Sequence, residues 1–230
     1  MNTTFVISGG AGRVACAIPA LEKYHRLNPD NDFKVLVHGW QQVLWSHPIL
    51  QDRTYEANQK GAFEQHLKDN YVIHPEPYIL NNFFNQRINL IEAFDELINN
   101  TNDHSDLNRP KIYTSNFEKQ QTDDILSNIR AENDNKKIVL FQPFGSTIRF
   151  VNQYPFDHTH RSLTPDQYVK IADGIRDIAT VIYCSPKEFK PGDDESIPIN
   201  NWNPYFRIFP AMLEQCDYFI GCDSCGQHFA

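Results

Sequence analysis

The chain has 230 residues, room for one large domain or two small ones. Hydrophobic residues make up 40% and charged residues 22%, a globular composition, and 29 acidic against 21 basic side chains leave a net charge of −8. That balance argues against nucleic-acid binding, which draws on surplus Lys and Arg, but leaves room for one anionic ligand in a local pocket; no apolar run approaches the ~18 residues of a membrane span.

In chain order, Phe5-Val6-Ile7 predicts a strand that ends in the turn Ser8-Gly9-Gly10-Ala11-Gly12-Arg13. A helix over 14–27 follows, with Pro19 inside it, where a missing N–H should kink or restart it. The run 33–37 is a second strand, completing a βαβ unit and pointing to a parallel sheet. Residues 40–80 carry little pattern beyond an apolar triplet at 71–73. Leu90, Ile91, Phe94, Leu97 and Ile98 recur at helical spacing, so 87–99 should be helical. The polar stretch 119–137, with only Ile125, Leu126 and Ile129 as an apolar stripe, reads as a bridging helix or linker, and a domain boundary is expected at 134/135.

The pattern then restarts. A strand over 137–141 ends in Pro143-Phe144-Gly145-Ser146-Thr147. Thr164-Pro165-Asp166-Gln167 is a capping box opening a helix whose apolar face is Tyr168, Ile171, Ala172, Ile175 and Ile178. A strand at 180–184, a helix at 206–215 and a strand at 217–221 follow, and then Gly221-Cys222-Asp223-Ser224-Cys225-Gly226-Gln227-His228. The expectation is an α/β protein with two successive α/β units, 1–134 and 135–230.

Four constellations carry chemistry. Gly9, Gly10 and Gly12 at a strand-to-helix turn suit an anion, and Gly10, Gly12 and Ala15 match G-x-G-x-x-A. Against a nicotinamide cofactor, strand two ends in His38-Gly39 with no acid to hold a ribose, and Pro19 interrupts the helix. Gly145, Ser146 and Thr147 offer N–H and O–H donors at the carboxyl end of a strand. Cys222 and Cys225 form C-x-x-C at an expected helix start, which fits a redox dithiol, a zinc site completed by Cys216 and His228, or coincidence. Asp157-His158-Thr159-His160-Arg161 offers either a metal or a solvated loop, with Arg161 placed to meet an anion. Five cysteines, odd and sparse, together with no leader pattern after Met1, point to a reducing compartment and a cytoplasmic protein.

The order of these segments resembles glycosyltransferase family nine, the lipopolysaccharide heptosyltransferase-like enzymes. The likeness rests on Gly12-Arg13-Val14 with Ile18-Pro19-Ala20-Leu21, on Asn28-Pro29-Asp30 before strand two, on Gln142 to Ser146 followed by Arg161, and on Asp217 to Ser224 with His228 and Ala230. It implies two Rossmann-like domains facing a cleft in the GT-B arrangement, the N-terminal one for a glycan or lipopolysaccharide-type acceptor. The C-terminal one would hold a nucleotide-diphosphate sugar through Gly145, Ser146, Thr147, Arg161, Asp223, Ser224 and His228. Transfer would be inverting and metal-independent, with no cofactor.

Two positions depart from that family. Arg13 stands where an Asp base is expected, and an always-protonated Arg cannot accept a proton. The base is then elsewhere, His38 being one candidate, or Arg13 binds an anionic acceptor, or the protein binds sugar nucleotides without turnover. Cys225 stands where a Gly is expected. The resemblance also implies a C-terminal domain shortened relative to a full doubly wound sheet of five or six strands. A nicotinamide-dependent oxidoreductase is the third reading.

Overall fold

The computed structural model describes residues 2–151, 154–185, 197–200 and 205–230. The chain divides into two compact units, Met1–Tyr113 and Thr114–Ala230.

In the first unit, β1 (Thr3–Ile7), β2 (Lys34–Val37), β3 (Thr54–Glu56) and β4 (Tyr71–Ile73) form one parallel sheet in the order β3-β2-β1-β4. Helix α1 (Ala11–Leu27) follows β1 after a turn of three residues and runs through Pro19 without restarting. Its first half is buried on nearly all sides, because it packs on α3 (Leu90–Asn99) as well as on the sheet, where Tyr24 stands edge-on to Phe5 and Phe33. The short α2 (Asn81–Phe84) precedes α3, whose start is fixed by a capping box between Asn89 and Glu92. Buried Lys23 of α1 reaches Asp95 of α3 at 3.0 Å and Asp106 at 2.8 Å, so one cation fastens the polar loop after α3.

In the second unit, α4 (Asn116–Glu132) starts at a Ser115–Glu118 capping box. Strand β5 (Lys137–Gln142) and a two-stranded hairpin, β6 (Arg149–Val151) with β7 (Tyr154–Phe156), come next, then α5 (Pro165–Ile175) and β8 (Ala179–Ser185). Strand β9 (Ile197–Asn200), α6 (Ile208–Gln215), β10 (Tyr218–Gly221) and the five-residue α7 (Cys225–Phe229) complete it. The parallel sheet runs β10-β5-β8-β9.

Alternate residues of β5 and β8 feed two cores. Ile138, Leu140, Ile182 and Cys184 pack with Leu126 and Ile129 of α4 and Phe209 and Met212 of α6. Phe141, Val181 and Tyr183 pack with Tyr168 and Ala172 of α5 on the other face. Thus α4, expected as a bridge, covers the second sheet, and the contact boundary falls at 113/114 rather than 134/135. The capping box of α5 forms as expected, but its apolar face is narrower: Ile178 lies beyond the helix and is 73% exposed. Among the described residues no helix is long and apolar enough to cross a membrane.

Asp217, just before β10, ties this unit together. It accepts hydrogen bonds from the Ile138 N–H at 2.9 Å and Lys137 at 2.8 Å and faces Arg130 of α4. The Ile138 N–H and Lys137 hold its pKa down to about 2 from an ordinary 3.8. A carboxylate depressed in the fold stabilises it fully above the unfolded value and ceases to do so as pH falls through the folded one. Asp217→Asn is therefore expected to lower the urea midpoint at pH 7 and to converge with the parent near pH 2, read by circular dichroism. Equal losses at both pH values would show that the charge is not what matters.

Candidate functional site

Both sheets share one topology: the first strand is central, the next two lie to one side and the last to the other. Open parallel sheets bind ligands beyond the carboxyl ends of their strands, at the point where the strand order reverses. That point lies between β1 and β4 in the first unit and between β5 and β10 in the second.

At the second of these, the loop after β5 is organised around Asp157. Its Oδ1 accepts from the Thr147 hydroxyl (2.9 Å), the Thr159 N–H (2.9 Å) and the Thr159 hydroxyl (2.6 Å). Its Oδ2 accepts from the Ser162 N–H (3.1 Å) and hydroxyl (2.6 Å). Burial opposes the charge, but the hydrogen bonds from Ser162, Thr159 and Thr147 outweigh it and hold the carboxyl well below its usual range. Arg161, exposed, donates to the hydroxyls of Thr159 (3.1 Å) and Thr147 (3.4 Å), and the Gly145 N–H donates to Ser162 Oγ (3.0 Å).

Gly145 also meets the loop after β10. A Cβ at Gly145 would lie 3.9 Å from both the Asp223 carbonyl and Ser224 Oγ. The structure therefore gathers Gly145, Ser146, Thr147, Arg161, Asp223 and Ser224, all singled out by sequence, on one rim. His228 stands on α7; burial lowers its pKa and Asp223 partly offsets this. Behind the rim, Gln142 donates to Ser224 Oγ at 3.4 Å. A Cβ on Gly226 would lie 2.3 Å from Gln142 Oε1 and 2.5 Å from Phe219 Cζ, so the close approach needed at this turn belongs to Gly226, one place after Cys225.

Burial pushes the Cys222 thiol up to about 12 and raises Cys225 as well, which disfavours the thiolate that a reactive C-x-x-C dithiol needs. Asp157 spends both oxygens on its own loop, while His158 and His160 are exposed. Among the described residues no three His, Cys, Asp or Glu side chains gather in a form that would hold a metal ion.

At the first sheet, Gly9 has φ +102, and a Cβ there would lie 2.8 Å from Arg13 Cδ, so glycine is required twice over. Gly10 caps α1, and Gly12 lies inside its first turn. Arg13 is turned inward and 9% exposed: it forms a two-pronged pair with Glu76 (2.9 and 3.1 Å) and donates to the Pro75 carbonyl (3.0 Å). Its guanidinium stands 5.1 Å from the Tyr78 ring centre and 5.8 Å from that of Phe94. The hydrogen bonds from Arg13, and then its charge, hold the Glu76 carboxyl below its ordinary value against the opposing effect of burial.

Two features here were not singled out from sequence. Glu76 is one. The other is exposed His74, whose Nε2 lies 3.2 Å from Ser8 Oγ, joining the ends of β4 and β1. Only the strand order puts residues so far apart in sequence side by side. His38 is exposed at the end of β2, its N–H donating to the Ile7 carbonyl at 3.2 Å.

No protein-family sequence model matches the chain, and no curated protein matches it in sequence. Solved structures do match in fold. A glycosyl transferase family 9 protein from Veillonella parvula aligns with a TM-score of 0.71 at 14% identity, over 99% of this chain and 76% of that one. ADP-heptose lipopolysaccharide heptosyltransferase II of E. coli aligns at 0.58 and 12% identity, over 100% of this chain and 81% of its own. The E. coli heptosyltransferase WaaC with ADP aligns at 0.60 and 11% identity, over 100% and 83%. What such identities carry across is the fold: this chain has the mixed α/β, parallel-sheet architecture of glycosyltransferase family 9 structures.

Proposed function

We propose that the chain is a glycosyltransferase that moves a sugar from a nucleotide diphosphate to a glycan acceptor, built as two Rossmann-like units in the GT-B architecture. The observation that carries this reading is the rim at the carboxyl ends of β5 and β10, where Gly145 meets Asp223 and Ser224 and where Asp157 fixes the Thr147 and Thr159 hydroxyls to which Arg161 donates. The second unit takes the donor and the first the acceptor. The acceptor oxygen attacks the anomeric carbon, the bond from that carbon to the diphosphate breaks with inversion, and the leaving group takes the electron pair. Its charge is met by the Ser146 hydroxyl and by Arg161, which Thr147 and Thr159 hold in place, so the step calls for no metal. A cytoplasmic setting accords with five cysteines of which none forms a disulfide.

The acceptor proton needs a base. Arg13 is ruled out by its charge and is spent on Glu76. We assign the role to His74 ahead of His38, because His74 lies at the β1–β4 reversal and His38 does not. One observation favours a non-catalytic binder: the Arg13–Glu76 pair neutralises the acid at this turn.

Calorimetry with ADP, GDP, UDP and NAD, followed by transfer and hydrolysis assays with the matching nucleotide sugars, tests the reading. A nucleotide diphosphate is expected to bind and its sugar to turn over, with His74→Gln lowering kcat at least tenfold at unchanged donor affinity. Binding of NAD alone would sink the proposal. Donor binding without turnover would establish the binder instead.

A further inference from the structure

The segment after β4 builds an open pocket of about 550 Å3, lined chiefly by Tyr78, Phe83, Phe84, Arg87, Asn89 and Glu92. That volume lies in the range of small-molecule sites. The Tyr78 and Phe83 rings meet edge to face at 5.6 Å, and Phe84 is 76% exposed on its wall. Tyr78 is the ring beside the Arg13 guanidinium, so the pocket adjoins the turn after β1.

Its walls are held from several sides. Asn82 donates to the Glu96 carboxylate at 2.9 and 3.2 Å, fixing α2 to α3. Asn89 and Glu92 are locked in the capping box of α3. Gln86, also on the lining, sits at φ +55, a conformation costly for a non-glycine residue. The Gln86 N–H donates to the Phe83 carbonyl and that of Arg87 to the Asn82 carbonyl, each at 2.9 Å, and these bonds keep the reversal in place. Gln86 and Arg87 point no side-chain hydrogen bond or ion pair at other described residues, so both are available to a ligand.

The charges decide the class of ligand. Arg87 is the one cation on the lining and Glu92 the one anion, and the nearby Arg13 is already neutralised by Glu76. A polyanion finds no surplus positive charge here. An uncharged sugar ring does find complementary chemistry: its C–H face stacks on Phe84 and Tyr78, and its hydroxyls reach Gln86, Arg87 and Glu92.

We infer that this pocket binds a neutral saccharide ring and that the acceptor of the proposed transfer is an uncharged glycan rather than an anionic one. The identification of this sugar with the acceptor rests on the glycosyltransferase reading; the binding itself does not.

The test is titration of the full chain, followed by saturation-transfer NMR, with methyl β-D-glucoside, methyl β-D-galactoside, methyl α-D-mannoside and, as the anionic counterpart, methyl β-D-glucuronide. At least one neutral glycoside is expected to bind, the glucuronide at least threefold more weakly than the glucoside, with Phe84→Ala and Arg87→Ala each weakening binding fivefold or more. Affinity for ADP, measured in parallel, should stay within twofold in both variants. The inference is overturned if no neutral glycoside binds, if Phe84→Ala leaves affinity unchanged, or if the glucuronide binds more tightly. Sugar binding without any nucleotide binding would uphold the pocket and remove the transferase reading; nucleotide binding without sugar binding would do the reverse.

Discussion

Glu76→Ala is expected to destabilise the first unit by about 3 kcal/mol, the lower end of what removing one partner of a buried ion pair costs. The reason lies with the partner left behind. Arg13 is 9% exposed and faces Glu76, the Pro75 carbonyl and two aromatic rings. Without Glu76 its charge stays inside with one carbonyl and ring faces to answer it. Glu76 itself is 32% exposed, which lets water relieve part of the penalty and sets the value at the low end. Replacing both partners with Leu should recover most of the loss, because no uncompensated charge then remains. Urea denaturation of the two variants checks both statements. A single-variant loss below ~1 kcal/mol would place the pair among surface bridges.

Asp157→Ala is expected to raise the dissociation constant for the donor nucleotide at least tenfold, a change of about 1.4 kcal/mol, and to destabilise the second unit as well. Five hydrogen bonds converge on this carboxylate, and hydrogen bonds to a charged group each contribute about 1.5–3 kcal/mol. Removing it frees Thr147, Thr159 and Ser162 together and so lets go of the Gly145 N–H and Arg161, which rest on them. Asp157→Asn keeps one accepting oxygen and should fall between. Calorimetry with the nucleotide that binds the parent measures the effect. Unchanged affinity in a folded Asp157→Ala chain would show that the rim does not hold the donor.

Several elements were legible because they announce themselves locally. The Thr164–Gln167 capping box and the β-rich runs of β5 and β8 need no knowledge of the fold. Strand β3 is only Thr54-Tyr55-Glu56, and β9 is four residues with Pro198 inside, which cannot donate to a ladder; the parallel neighbour each one pairs with defines it. The thin stripe of α4 alone does not separate a bridging helix or linker from a packed one. Leu126 and Ile129 suffice, since both are buried against β5 and α6.

The candidate site divides in the same way. Glycines, hydroxyls and Arg161 next to strand ends could be read directly. From sequence Asp157 fits either a metal site or a solvated loop, because its hydroxyl partners matter only once the loop closes. The Arg13–Glu76 and Ser8–His74 contacts join positions more than sixty residues apart, brought together by strand order alone.

The placement of α4 bears on how the protein can be dissected. A chain severed after residue 134 would carry Leu126 and Ile129 away with the wrong half, exposing Ile138, Leu140, Phe209 and Met212 to water. Severed between Tyr113 and Thr114, each half keeps its own sheet and every helix that covers it. The natural joint of this molecule is therefore the stretch without helix or strand before the Ser115 cap, and the polar helix after it travels with the second half.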